Sequence, residues 1–108
     1  MVQVGPMVYR VSTDEERHRQ YCDDLGRYYY GWADHQHLTI NLDPHLPPGQ
    51  MQDTLLHEVE HCLWSVSGLR GRMKLTEEDI IRHLTSLRLD TLQRNPMVVA
   101  YLMQKEDN

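Results

Sequence analysis

The stretch from Pro48 to Ser67 constrains this chain more than any other. It is bounded by Pro47-Pro48-Gly49 on one side and Gly68 on the other, residues that suit the start and stop of a helix. At about 100° per residue, Met51, Leu55, Val59, Cys62 and Val66 fall on one stripe, with Leu56 and Leu63 on its flank. His57 and His61 fall on roughly the opposite side, and Trp64 lies one turn beyond. The spacing predicts an amphipathic helix over about 48–67 that buries one face and presents two imidazoles on the other.

The segments around it are shorter and mixed. Residues 2–11 are β-rich but broken at Gly5-Pro6, which predicts a short or edge strand. Ser12-Thr13 followed by Glu15-Glu16 has the form of a capping box, and Gly26 is a plausible stop. A polar helix over about 13–25 follows, held by Tyr21 and Leu25. The run Arg27-Tyr28-Tyr29-Tyr30-Gly31-Trp32 and the alternation Leu38, Ile40, Leu42 read as a β-hairpin that Asp43-Pro44 ends. Leu69 to Leu75 is a basic linker. Thr76 caps a third helix that reaches about Arg94, with Glu77, Glu78 and Asp79 complementing its dipole, and Asn95-Pro96 opens a last short one. With too few strands for a doubly wound sheet, the expected class is α+β, as one domain over residues 1–108.

Charge and composition narrow the function. Eleven Lys and Arg against 16 Asp and Glu leave a net charge of -5. The one basic cluster, Arg70, Arg72 and Lys74, is too small for a phosphate-neutralising face, so nucleic acid is not an expected partner. No apolar run approaches the roughly 20 residues that span a bilayer, so no membrane partner is expected. The first residues do not read as a secretion signal, and the expected location is cytoplasmic. Cys22 and Cys62 have no Cys-x-x-Cys spacing and are expected to be reduced thiols, Cys62 as a small core residue.

Histidine is what stands out, with seven in the chain. His57-Glu58-Val59-Glu60-His61 places two imidazoles one above the other on a helix, where both can reach one ion. Zinc takes imidazole nitrogen at about 2.0–2.1 Å and, in catalytic sites, three protein ligands plus a water. Glu58, to the side of the pair, can touch that water without ligating the metal; this is the His-Glu-x-x-His arrangement of zinc metallopeptidases. For the third ligand Glu77 is favoured, because it falls near the middle of the apolar arc formed by Ile80, Ile81, Leu84 and Leu87. An unpaired buried carboxylate is costly, and a metal would pair it. Glu78 is the rival, and the lesser alternative for both is a solvent-facing charge at a helix start. His83 is a weaker candidate. Asp53, one turn before His57, can orient that imidazole or be a surface acid. Tyr28, Tyr29, Tyr30 and Trp32 read as hairpin packing, and His35 and His37 as exposed polar residues.

Thr54-Leu-Leu-His-Glu-Val-Glu-His61, after Thr39-Ile-Asn-Leu42 and before Thr76-Glu-Glu-Asp-Ile-Ile81, resembles the small zincin-fold proteins encoded by bacteriophages and prophages. These are similar to the ImmA/IrrE and SprT-like metallopeptidase families. The resemblance covers about Tyr28 to Leu102 and implies a minimal zincin-like fold, a strand layer followed by an active-site helix and a ligand-bearing helix. It implies zinc on His57 and His61, Glu58 as catalytic base, and a glutamate third ligand carried onto Glu77 or Glu78. Glu60 departs from the pattern, since that position is usually uncharged. The expected function is a zinc-dependent metallopeptidase acting on a peptide or protein substrate, in the bacterial host cytoplasm if phage-encoded. The alternative is a regulatory or binding protein with a structural zinc. The sequence gives no oligomeric state.

Overall fold

Gly5, at φ 56°, lies in the left-handed region that glycine tolerates and side chains resist. It turns the chain between β1 (Val2–Val4) and β2 (Met7–Ser12), which pair antiparallel. This view comes from a computed structural model that describes residues 1–69, 71 and 74–105 and, for Ile81, the backbone. Arg70 and Arg72 of the basic linker, and the side chain of Ile81, therefore lie outside the described residues.

From β2 the chain crosses over through α1 (Glu15–Leu25) and β3 (Gly31–Asp34) to β4 (Thr39–Leu42). A parallel pairing needs such a crossover, and β2 and β4 are indeed parallel, with Val11 opposite Ile40. The expected hairpin forms as the antiparallel pair β3–β4, but its first strand is Gly31–Asp34, so Arg27 to Tyr30 precede it and Ala33 and Asp34 belong to the strand, not the turn. The sheet order is β1-β2-β4-β3. Helices α2 (Pro48–Ser67), α3 (Glu77–Arg94) and α4 (Pro96–Met103) follow, so the fold is α+β. Among the described residues no helix is long and apolar enough to cross a membrane.

One boundary differs from the sequence reading. Asp14, not Ser12 or Thr13, caps α1, accepting from the Arg17 amide at 2.9 Å. Ser12 still belongs to the sheet, opposite Asn41, so the helix cannot begin until the strand has ended. The Ser12 hydroxyl instead accepts the Asp14 amide.

Alternation along β4 divides the molecule into layers. Ile40 and Leu42 join Val2, Val4 and Tyr9 in a buried cluster with Leu55, Val59, Cys62 and Leu63 of α2. The stripe read from the sequence is thus the face that α2 buries, although Leu56 on its flank stays exposed. Leu84 and Leu87 of α3 and Val98 and Tyr101 of α4 close over that core. Asn41, between Ile40 and Leu42, points to the other face. There its amide reaches the Asp14 carbonyl at the start of α1.

Candidate metal centre

Burying the Leu55–Val59–Cys62 stripe turns His57 and His61 outward, and both are exposed. Their Nε2 atoms lie 3.1 Å apart, with ring planes at 76°. Two nitrogens bound to one tetrahedral zinc at about 2.0–2.1 Å stand roughly 3.3–3.4 Å from each other. The observed separation is thus within a few tenths of an ångström of that spacing.

Glu58, between them in sequence, is only 7 % exposed. Burial holds its carboxyl above the usual glutamate range, and the imidazoles of His61 and His57 pull it partly back. A carboxylate whose desolvation is only partly offset takes up a proton more readily than one in water. No described residue donates a hydrogen bond to it. Nearby, burial first, and then Tyr29 and Glu58, raise the Tyr21 hydroxyl above the usual tyrosine value, so Tyr21 lies within electrostatic reach of Glu58. Tyr21 stacks on Trp32 of β3, with centroids 4.7 Å apart. The sequence assigned Tyr21 to holding its own helix; that it also bridges α1 to this neighbourhood had no local signal.

Strand β3 runs along α2. A Cβ on Gly31 would come within 2.9 Å of Thr54 Cγ2, so glycine permits this approach one helical turn before Glu58. The register also sets which backbone groups of β3 are free. The Asp43 amide donates to the Tyr30 carbonyl at 2.8 Å, which makes Tyr30 and Asp43 a bonded pair. Bonded and non-bonded pairs alternate in an antiparallel ladder. Trp32, opposite Asn41, then bonds to β4, whereas Gly31 and Ala33 turn their N–H and C=O groups to the open edge.

The third ligand is where the structure parts from the sequence. Among the described residues no group of three or more His, Cys, Asp or Glu side chains could hold a metal ion. Glu77 does not point into the core; it and Glu78 are both exposed, and Glu78 lies 3.9 Å from Arg82. The reason is that the apolar arc of α3 meets the core at Leu84 and Leu87, leaving the first turn outside it. That turn is organised by Thr76 and Asp79, each accepting the other's backbone N–H. His83 turns Nδ1 to the Asp79 carbonyl at 2.8 Å, and Asp53 is exposed with no hydrogen bond to His57.

The remaining polar residues are committed elsewhere. Glu60 takes a two-pronged bond from Arg88 of α3, at 2.6 and 3.2 Å, which ties α2 to α3. His35 meets the Tyr9 hydroxyl at 2.9 Å, and His37 pairs with Asp34 at 2.8 Å. Tyr28 donates to Asp43, but Tyr28 and Tyr30 are exposed and precede β3, so the expected hairpin packing does not hold for them. Cys62 is fully buried, its thiol pushed up to about 12 by burial. Both cysteines are free thiols. Comparison of the chain with family models, with curated proteins and with solved structures gives no match.

Proposed function

We propose that the chain is a zinc-dependent peptide hydrolase of minimal zincin-like form. The observation that carries this reading is the imidazole pair with Nε2 atoms 3.1 Å apart, set beside a buried carboxylate. His57 and His61 would hold the ion, which when bound supplies a Lewis acid for the scissile carbonyl and for water. Glu58 takes the proton of the attacking water and returns it to the leaving amine. An extended peptide pairs with the outward N–H and C=O groups of Gly31 and Ala33, which lie on the strand beside α2.

The second reading, a regulatory or binding protein with a structural zinc, would need four protein ligands, where the described residues bring two imidazoles together. It predicts that a chelator unfolds the chain, and the core that closes on apolar side chains away from the imidazoles argues against it. Glu58→Gln tests the choice. Metal content by mass spectrometry should stay at the unsubstituted level, while peptide turnover falls about 10²–10⁴-fold, the usual contribution of a positioned base. Equal turnover in the two proteins would remove Glu58 from the role, and purified protein that takes up no zinc would remove the metal from both readings.

A further inference from the structure

The open edge of β3 has a charged neighbour on the face away from α2. Trp32 pairs with Asn41 across the ladder, so the two side chains share a face, the one on which Asn41 reaches the start of α1. There Trp32 and Tyr21 of α1, stacked with centroids 4.7 Å apart, wall a cleft of about 490 Å³. Among the described residues, Asp14, Glu16 and Asp24 line it with three carboxylates against the one guanidinium of Arg17, and all four are exposed. An antiparallel strand added to β3 is held by the outward N–H and C=O groups of Gly31 and Ala33. Its residue opposite Trp32 then forms a non-hydrogen-bonded pair, in which Cα atoms approach to about 4.5 Å and side chains lie closest. Because side chains alternate along a strand, that residue emerges on the cleft face and both its neighbours emerge on the α2 face.

We propose that this cleft is the specificity pocket for an extended peptide on β3, and that it selects a lysine or arginine side chain opposite Trp32. The methylene stem packs against the Tyr21–Trp32 stack, and the head group lies among the carboxylates of Asp14, Glu16 and Asp24. A cation there gains attraction from an excess of negative charge, whereas a glutamate at the same place meets repulsion. The head group keeps much of its water, so the preference is modest and sensitive to salt. Tyr21 lies within electrostatic reach of Glu58, so the pocket and the α2 site flank the same strand. Cleavage of such a peptide rests on the zinc-hydrolase reading; the preference in binding needs neither the metal nor Glu58.

The test titrates capped heptapeptides of alternating threonine and valine into the full-length Glu58→Gln chain, where turnover does not obscure affinity, and reads binding by calorimetry. The central residue is arginine, lysine, glutamine or glutamate. The arginine and lysine peptides should bind about five- to tenfold tighter than the glutamine peptide, with glutamate weakest, and the ratio should shrink toward one in molar salt. Glu16→Gln combined with Asp24→Asn, checked for folding by circular dichroism, should bring the arginine-to-glutamine ratio below about twofold. Equal affinity for the arginine and glutamine peptides overturns the pocket, even where the unsubstituted chain cleaves both. So does a full ratio in the folded double variant, and so does full arginine affinity in folded Ala33→Pro, which would put the cation away from the β3 edge. An arginine preference in a chain that takes up no zinc and cleaves nothing sinks the hydrolase reading and supports the pocket.

Discussion

The two edges of the sheet solve the same problem in opposite ways. At β1, the Asn95 side chain acts as a substitute strand. Its Oδ1 accepts the Gln3 amide at 2.9 Å, and its Nδ2 donates to the Gln3 carbonyl at 2.8 Å and the Thr91 carbonyl at 2.7 Å. At β3, Gly31 and Ala33 turn their backbone groups outward, and no described residue meets them. An edge with unpaired N–H and C=O groups invites any extended chain, and proteins usually block it. The chain blocks the β1 edge and leaves open the β3 edge, which passes α2 at Thr54. The difference teaches that one edge of a small sheet can be closed by a single side chain while the other keeps its backbone groups open.

The contrast is broken most forcefully by Asn95→Ala. The change leaves both Gln3 groups and the Thr91 carbonyl without partners in a partly buried setting. Stability should fall by about 2–3 kcal/mol, equivalent to a Tm loss of roughly 10–20 °C. Sedimentation should show self-association as well, because a second open edge now exists. A loss under about 0.5 kcal/mol would mean that Asn95 decorates the edge without closing it.

A proline scan along β3 sharpens the other half. Trp32→Pro removes a ladder donor and should cost about 3 kcal/mol or more. Ala33→Pro removes only an outward N–H, a placement edge strands tolerate, so the chain should still fold. Peptide turnover by that variant should nevertheless fall about two- to tenfold through KM, the worth of one lost hydrogen bond. Unfolding by Ala33→Pro with Trp32→Pro tolerated would show that the register-based assignment of the open edge is inverted.

Much of this was legible in the sequence because it rests on periodicity and punctuation. Pro47-Pro48 and Gly68 bound α2 at the residues expected, and the Leu55–Val59–Cys62 stripe dictates that His57 and His61 face out. Period alone carried that inference. The third ligand failed because the apolar arc of a helix does not say where along its length the core begins; α3 meets it only from the second turn. Asn95 and His18 were invisible for a related reason. Their partners, Gln3 and Asn41, lie far away in sequence and are brought close only by the sheet. The packing of α3 against β1 and the β2–β4 parallel pairing, which make those contacts, leave no local trace.

The smallest effect concerns what keeps the open strand in place without a neighbour. At its turn, Asp34 accepts the Gln36 and His37 amides, both at 3.0 Å, and pairs with the His37 ring at 2.8 Å. Hydrogen bonds from the His37 side chain and backbone hold the Asp34 carboxyl below its usual value against a smaller opposing effect of burial. A depressed folded pKa means that the stabilisation is present above the ordinary aspartate value and is lost as pH falls through the lower, folded one. The turn is exposed enough that solvent screens much of it, so Asp34→Asn should cost no more than about 1 kcal/mol at neutral pH. The difference between the two proteins should shrink toward zero as the solution is acidified, because protonated aspartic acid and asparagine then make similar bonds. Amide exchange at Trp32, whose N–H is bonded into the ladder, should quicken in the variant while exchange at Gln3 does not change, since Asn95 holds that edge independently of the turn. Parallel changes at both edges would mean that the sheet responds as one body and that β3 has no private anchor.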